Sequence, residues 1–439
     1  MLVQKQVLSF LFSIILLFTL CSFAFAETTS PQNDKTKSTD DPVTFSIPDS
    51  YRGRKILLFP FDLPGYIMRA VTWPLGAIAQ TIEQKQFGKR VFDLLSNKKH
   101  TFWVYPYIDG APGPGFGGGL GFVHKDLFHQ KWKANGRYDI HINLNQFARF
   151  AIEQNQLFDI YGKWLSFRLE SFWAHENNND YYGIGANSKR SKQATYSSDF
   201  LTARAKFDYE LPKKLHGGLR VGTLMAKTRS VAKGGNPSVG QLFSPAEMVG
   251  LGDNLLYFVP GVEFWYDSRD NNKFPNHGGY YLGSFNYYKA TNATNMDYNQ
   301  YQLNLTHFIP LWRPGIVLTL QNKWMIKQKI GSSKIPFELL SVLDYTSPLR
   351  GFSRGRFHDR SSVLFNVEYR YPIWKVIDGV IFFDTGRVFR RLRDFAFSDF
   401  KFDGGGGLRF RYLDLALFNV DVAYGGEGVK VMFGITKLL

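Results

Sequence analysis

From Thr101 to the end of the chain, apolar and polar residues alternate with a period of two in one segment after another. In segment 201–210 the odd positions hold Leu, Ala, Ala, Phe and Tyr, whereas the even positions hold Thr, Arg, Lys, Asp and Glu. Segments 138–145, 301–306 and 408–412 alternate in the same way. Successive side chains of a β-strand point to opposite faces, so each segment has one apolar and one polar face. This pattern is typical of a transmembrane β-barrel.

We count about sixteen such segments, and an even number is expected of single-chain bacterial barrels. A water-soluble β-sandwich also alternates, but it rarely places Arg and Lys on one face of so many strands. We therefore predict an all-β membrane protein, an antiparallel barrel of about 16 transmembrane strands over residues 101–439, with charged faces toward the lumen. A helical membrane protein would need repeated apolar runs of about 18 residues or more.

The N-terminal part of the chain contains the one run of that kind, at residues 7–26. Lys5 precedes the run and Ala24-Phe25-Ala26 ends it, which predicts a secretory signal peptide over 1–26. An uncleaved anchor helix is the alternative. Cys21 is the single cysteine and leaves with the signal, so the mature chain has no disulfide or cysteine metal site. Residues 27–50, rich in Ser, Thr, Asp and Pro, read as a disordered leader.

Residues 51–100 carry a different pattern and form a separate segment on the periplasmic side. Apolar residues recur every three or four positions between Ile67 and Leu95, which predicts an amphipathic helix over 65–96, or two helices broken at Trp73-Pro74. Such a helix suits a plug in the lumen, a cap beneath the barrel, an interfacial helix or a dimer contact. The sequence leaves these alternatives open.

A basic, glycine-punctuated loop around Arg350 precedes two strand-like runs, Ser362–Tyr371 and Val380–Phe389. In the first run Glu368 lies on the face opposite the apolar residues, and in the second Asp384 interrupts an apolar stretch. A carboxylate in that position is costly unless a cation pairs with it. Arg350 is the natural partner, because its planar fork binds a carboxylate bidentately. The alternative is a surface turn with Arg350 in water.

The residues Leu349-Arg350-Gly351-Phe352, followed by Glu368 and by Phe383-Asp384-Thr385-Gly386, resemble a motif of the bacterial surface antigen superfamily, the superfamily of BamA and TamA. Residues 266–279 and 181–187 are similar to two further motifs of that family. The resemblance implies a loop that enters the lumen and is locked to the barrel wall by its tip. The residues it assigns to this ionic lock are Arg350, Gly351, Phe352, Glu368, Asp384 and Gly386.

The resemblance also carries an expected function and one departure from the family. It implies insertion or translocation of polypeptide, or movement of lipid, at the outer membrane. Residues 51–100 are too short for periplasmic POTRA domains, so we expect a member without them. A passive anion-preferring channel and a structural outer-membrane protein are the alternatives.

The expected partners follow from export and from the net charge of +16. We expect outer-membrane lipids and lipopolysaccharide, and a polypeptide or lipid substrate; a homo-oligomer stays open, and export argues against nucleic acid. Basic residues where outer loops would project are candidates for lipopolysaccharide phosphates: Lys189, Arg190, Lys192, Lys227, Arg229 and Lys233.

The chain shows no pattern that points to catalysis or metal binding. No His–Asp arrangement supports a serine nucleophile, and His124 and His129 have no carboxylate pair in ligand spacing. The glycine run 115–121 continues as a strand rather than a helix, unlike a dinucleotide-binding loop. We therefore predict no catalytic residue, no metal and no cofactor, and a protein that is not an enzyme.

Overall fold

The computed structural model describes residues 95–111, 115–344, 349–374, 376–412 and 415–435. Sixteen of the strands form one sheet, in which each strand pairs antiparallel with the sheet strands that come before and after it along the chain. The predicted number of strands is confirmed. The strands up to the longest connection are β1 (Phe102–Ala111), β2 (Gly115–Leu127), β3 (Trp132–His141), β4 (Gln146–Ile160), β5 (Lys163–Tyr181), β6 (Ala194–Glu210), β7 (Leu215–Ser230), β8 (Asn254–Asp267), β9 (Gly278–Ala290), β10 (Tyr298–Pro310) and β11 (Val317–Lys329).

The sheet resumes after two short strands that pair with each other, β12 (Ser341–Leu343) and β13 (Phe357–Asp359). The remaining sheet strands are β14 (Ser361–Trp374), β15 (Ile377–Phe389), β16 (Lys401–Tyr412), β17 (Leu415–Gly425) and β18 (Gly428–Ile435).

Helices are short and few in the described parts of the chain. They are α1 (Val239–Leu242) and four 3-10 turns at Arg190–Lys192, Pro212–Lys214, Phe337–Leu339 and Leu392–Asp394. None of them has the length and apolar character needed to cross a membrane. The signal peptide over 1–26, the leader over 27–50 and almost all of helix 65–96 lie outside the described residues, and these domain boundaries stay predictions.

The two faces of the sheet differ in the way that the alternation predicts. On β6, Leu201 and Phe207 are exposed on the outer face, whereas Lys206 points inward and pairs with Glu170 at 3.0 Å. On β14, Val367 is exposed on the outside and the neighbouring Glu368 faces inward. The charged residues therefore line a lumen, and the apolar residues form the outer wall.

The two ends of the sheet are distinguished by the length of their connections. One end carries the long connections 182–193, 231–253, 330–360 and 390–400. The other carries short turns such as 161–162 and 211–214, together with the longer turn 268–277. Outer-membrane barrels have long loops outside and short turns on the periplasmic side, which orients this chain.

The end strands β1 and β18 meet without pairing. Their Cα atoms approach within 8 Å, but the described residues of the two strands form no β-ladder with each other. The sequence predicted a fully closed barrel, and the structure differs at this seam.

Candidate functional site: a loop held in the lumen by ion pairs

The connection between β11 and β14, residues 330–360, is called the lumenal loop here because it contacts strands on widely separated parts of the wall. Arg354 forms an ion pair with Glu176 of β5. Arg356 donates two hydrogen bonds to Ser188, in the connection after β5, and pairs with Glu427 in the turn between β17 and β18. A segment that touches β5 and the β17–β18 turn at once lies inside the curved sheet.

The tip of the lumenal loop is fixed by Arg350. Its Nε donates to Asp384 Oδ2 at 2.7 Å and its Nη2 donates to Asp384 Oδ1 at 2.9 Å, a bidentate pair. Its Nη1 donates to Glu368 Oε2 at 3.1 Å and lies 3.4 Å from Asp421 Oδ2. Although burial disfavours the charged form, these carboxylates raise the pKa of Arg350 above its ordinary value.

A second arginine completes the cluster. Arg409 of β16 donates to Glu368 Oε2 at 3.0 Å and to both carboxylate oxygens of Asp421. Neither Arg409 nor Asp421 was assigned to the lock from the sequence. The signal that would have pointed to them is the same as for Asp384, because each is a charged residue between apolar neighbours in a period-two strand.

Apolar side chains of the loop tip are buried beside the charged cluster. The Arg350 guanidinium lies over the ring of Phe382, with Cζ 3.5 Å from the ring centroid. Leu349 is fully buried, and Phe352 packs edge-on against Phe357 with centroids 5.2 Å apart. The residues of this cluster are Ala186, Leu343, Leu349, Phe352, Phe357, Leu364 and Val388. The tip therefore combines ion pairing with burial of apolar surface.

Two glycines make this close approach possible. A Cβ atom at Gly351 would lie 2.5 Å from Cβ of Asp403 and 2.9 Å from the backbone of Gly425. A Cβ atom at Gly386 would lie 2.9 Å from a methyl group of Leu343, on the lumenal loop. Contacts this short do not occur between real side chains, so both positions need glycine for the loop to touch the wall.

A second anchor holds the loop after its tip. Glu427, in the turn between β17 and β18, accepts a hydrogen bond from the Ser353 backbone N–H at 2.9 Å and pairs with Arg356. Burial alone would raise the pKa of Glu427, but these hydrogen bonds outweigh it and lower the pKa. Lys430 adds a bond to Ser353 Oγ at 3.0 Å.

At the opposite end of the lumen, the turn 268–277 folds inward over the short-turn mouth. The Phe274 ring is buried and lies 3.9 Å from the Arg370 guanidinium. Arg370 also donates to the Pro275 carbonyl at 2.6 Å and to Asn276 Oδ1 at 2.8 Å. Because Arg370 faces the lumen from β14, this turn covers the interior beneath the lumenal loop. The Arg411 guanidinium lies 5.5 Å from the same ring.

On the lumenal wall formed by β5 and β6, three cations share one carboxylate. Glu170 is surrounded by Lys206 at 3.0 Å, Arg168 at 3.4 Å and Arg204 at 3.5 Å. Within the described ranges, no group of three or more His, Cys, Asp or Glu side chains is arranged to hold a metal ion.

A 16-stranded antiparallel sheet with an apolar exterior, a charged interior and an internal loop defines the class of outer-membrane β-barrel proteins. The model of the Omp85 superfamily domain matches residues 130–435, and the chain belongs to this superfamily, the BamA-type family of bacterial surface antigens. The family that the motifs suggested is therefore confirmed. The curated proteins contain no match.

Solved structures share the fold at low identity. BamA from Haemophilus ducreyi lacking POTRA domains 1-3 is 12% identical, with a TM-score of 0.58 over 76% of this chain and 70% of that chain. CdiB from Escherichia coli is 10% identical, with a TM-score of 0.50 over 75% and 62%. CdiB from Acinetobacter baumannii is 12% identical, with a TM-score of 0.47 over 76% and 59%. The chain thus spans about three fifths of the length of the CdiB chains.

Proposed function

We propose that this protein inserts or translocates polypeptide or lipid at the outer membrane, and that release of the lumenal loop opens its path. One observation carries the proposal. The lumen is filled by a segment of the same chain whose strands, β12 and β13, pair with each other and not with the wall. A bridge of His358 to Ile184, in the connection after β5, joins β13 to another loop, and ion pairs, packing and a few loop–loop hydrogen bonds hold the rest of the segment. The segment can therefore leave without breaking the 16-stranded sheet.

Membership of the Omp85 superfamily supports this proposal, since BamA-type barrels suggest insertion or translocation at the outer membrane. The ionic lock of Arg350 with Asp384 and Glu368 would keep the loop in the resting position. Export through the signal peptide and contact with lipopolysaccharide belong to the same proposal. The seam between β1 and β18 offers a second opening, because strands without a shared ladder separate at lower cost than paired strands.

A passive anion-preferring channel is the second candidate, and the basic wall around Glu170 favours it. Cations that outnumber their carboxylate partners attract anions into a narrow space. The lumenal loop argues against it, since it occupies the space that ions would cross. A channel would give large, steady conductance steps in planar bilayers, whereas a filled barrel would give small ones.

The proposal is tested by fastening the loop to the wall. In the variant Arg354→Cys/Glu176→Cys, two thiols replace an ion pair between the lumenal loop and β5. A thiol-reactive cross-linker that contains a disulfide, about as long as the lost side chains, joins the two thiols, and a reductant cleaves it. Wild type and variant are reconstituted in vesicles of phosphatidylethanolamine and phosphatidylglycerol. The probes are a urea-unfolded barrel polypeptide, followed by its folding, and a fluorescent phospholipid, followed by its transfer between leaflets.

We expect wild type to accelerate one of the two processes, the cross-linked variant to lose this activity, and a reductant to restore it. Arg354→Cys alone is the control for the lost ion pair and should be insensitive to the cross-linker and to the reductant. Wild type without either activity would refute insertion and translocation. A cross-linked variant as active as the reduced one would show that the loop need not move.

A further inference from the structure

The connection between β15 and β16, residues 390–400, is called the rim loop here, and it lies on the outside of the wall. By register, Trp324, Val363 and Phe389 face outward, yet their exposed fractions are 4%, 0% and 3%. Phe395 of the rim loop covers them, with ring centroids 5.3 Å from Trp324 and 5.6 Å from Phe389. The loop therefore folds down over the lipid-facing surface at the long-loop end.

The outermost part of the rim loop is aromatic. Phe397 is 67% exposed and is held by stacking on Phe400, with centroids 6.1 Å apart. Below it, Phe402 and Phe383 stack on each other at 6.0 Å and are exposed on the outer wall. These rings form a continuous apolar strip from the rim toward the membrane interior. Aromatic rings in this position are typical of the membrane interface.

Arginines border this strip on its upper side. Arg390, Arg391 and Arg393 are exposed, and Arg360 lies beside them at the start of β14. Burial lowers the pKa of Arg360, repulsion from Arg390 and Arg391 lowers it further, and Asp359 opposes the shift. Arg387 fastens the loop to β15 by donating to the Ala396 carbonyl at 2.6 Å.

The carboxylates nearby compensate this charge only in part. Asp394 lies 3.8 Å from Arg393, and Asp399 lies 3.8 Å from Arg387, both at the limit of an ion pair. Asp359 is the third carboxylate, near Arg360. Five arginines therefore share three aspartates at this corner of the molecule. An excess of guanidinium groups suits phosphate oxygens, which they bind with two parallel hydrogen bonds.

We propose that the rim loop binds a phosphate-bearing lipid of the outer leaflet, with Phe397 and Phe402 among its acyl chains and Arg391 and Arg393 on its phosphate. The order of the groups supports a lipid over a soluble anion, because the arginines stand directly above an exposed apolar strip. The long connections 182–193 and 231–253 at the same end carry exposed cations but no exposed phenylalanine. This inference rests on the outer-membrane location and does not depend on insertion or translocation activity.

The test measures retention of lipid A by the delipidated, full-length protein, by native mass spectrometry in detergent. The variant Arg391→Gln/Arg393→Gln removes the phosphate contacts, and Phe397→Ser removes the apolar one. Lys289→Gln/Lys334→Gln is the matched control, because it removes two exposed cations elsewhere at the same end of the barrel. A heat-dependent shift on gel electrophoresis verifies that each variant is folded.

We expect the arginine variant to weaken lipid A binding by about tenfold or more, since two charge-assisted contacts are lost. Phe397→Ser should weaken it as well, and the control should bind like wild type. Equal losses in the control would reduce the effect to general charge and overturn the site. Displacement of lipid A by inorganic phosphate alone would assign the arginines to a soluble anion. A wild type that retains no lipid A would also refute the proposal.

Discussion

Arg350 shows what a single side chain contributes when it is buried among several carboxylates. Its exposed fraction is 7%, and it donates to Asp384 and Glu368 while lying within 3.4 Å of Asp421. A buried ion pair adds little net stability compared with apolar residues, but removal of one partner leaves charges without compensation. The main effect of the cluster is therefore to hold the loop in one defined position, and its net contribution to the free energy of folding is small.

Replacement of Arg350 separates the effect of its charge from that of its geometry. We expect Arg350→Met to lower the stability of the folded loop by about 3–5 kcal/mol, because it leaves the buried Asp384 without a cation and leaves Glu368 and Asp421 to Arg409 alone. Arg350→Lys should cost about half as much, since it keeps the charge and loses the bidentate fork. Limited proteolysis of the lumenal loop across a denaturant series measures both.

Arg229→Met is the matched control, because Arg229 pairs with Asp199 at a side chain that is 46% exposed. Surface pairs of this kind contribute about 1 kcal/mol or less. Protection of the loop in Arg350→Met equal to that of the control would contradict the proposed lock.

At the scale of single residues, the sequence predicts Arg350, Glu368 and Asp384 of the candidate site, but not the residues around them. Asp384 stands out because a carboxylate in an apolar strand requires a cation, and the motif resemblance points to Arg350. Asp421 and Arg409 meet that same pair only because β15, β16 and β17 are neighbours in register. Register depends on pairing along the whole sheet, and no local pattern reveals it.

Among the elements, the lumenal loop carries a group that responds to acid. His358 of β13 is 2% exposed and packs edge-on against the Tyr181 ring at 5.0 Å. Burial lowers its pKa from 6.5 to about 4, Asp344 opposes the shift, and Lys327 adds to it. The neutral form is therefore the one that the packed loop accepts.

The depressed pKa predicts loosening of the loop in acid. The stabilisation is complete above pH 6.5 and is lost as the pH falls toward 4, because a released His358 takes up a proton that the buried one refuses. The full effect is about 3 kcal/mol. Protease sensitivity of the loop should rise over this range in wild type.

The variant His358→Gln should remove this dependence, whereas His129→Gln, at an exposed position, should not. Glu338, in the same loop, acts in the opposite direction, because burial raises its pKa to about 8 and its contribution declines as the pH rises. The comparison of wild type with His358→Gln isolates the histidine. Identical profiles for the two proteins would contradict the assignment.

The sequence predicts strands more completely than connections. Alternation with a period of two follows from the wall having lipid on one side and a lumen on the other, so it is written locally in each strand. The rim loop and the turn 268–277 are different. Phe395 meets Trp324, and Phe274 meets Arg370, through contacts between distant parts of the chain. Such contacts produce no periodic pattern in the sequence.

In the molecule as a whole, the lumen is obstructed at two levels. The lumenal loop fills it from the long-loop end, and the turn 268–277 covers it at the other end through Phe274 and Arg370. Two obstructions in series behave as resistances in series, so removal of one leaves the other in control of the current.

Conductance in planar bilayers should reveal this arrangement. We expect Arg350→Ala and Arg370→Ala each to raise the single-channel conductance slightly, and the double variant to raise it by more than the two increments together. Arg229→Ala is the control and should leave the conductance unchanged. Full conductance in Arg350→Ala alone would show that the turn 268–277 is no barrier.

The lumenal loop is joined to the wall at both ends, by β11 and by β14. A displaced loop therefore cannot diffuse away, and its return is a unimolecular step governed by an effective concentration in the millimolar range, by analogy with short flexible linkers. Reclosure needs neither a second protein nor an energy source. The permeability barrier of the cell would be interrupted only for as long as a passing molecule occupies the space.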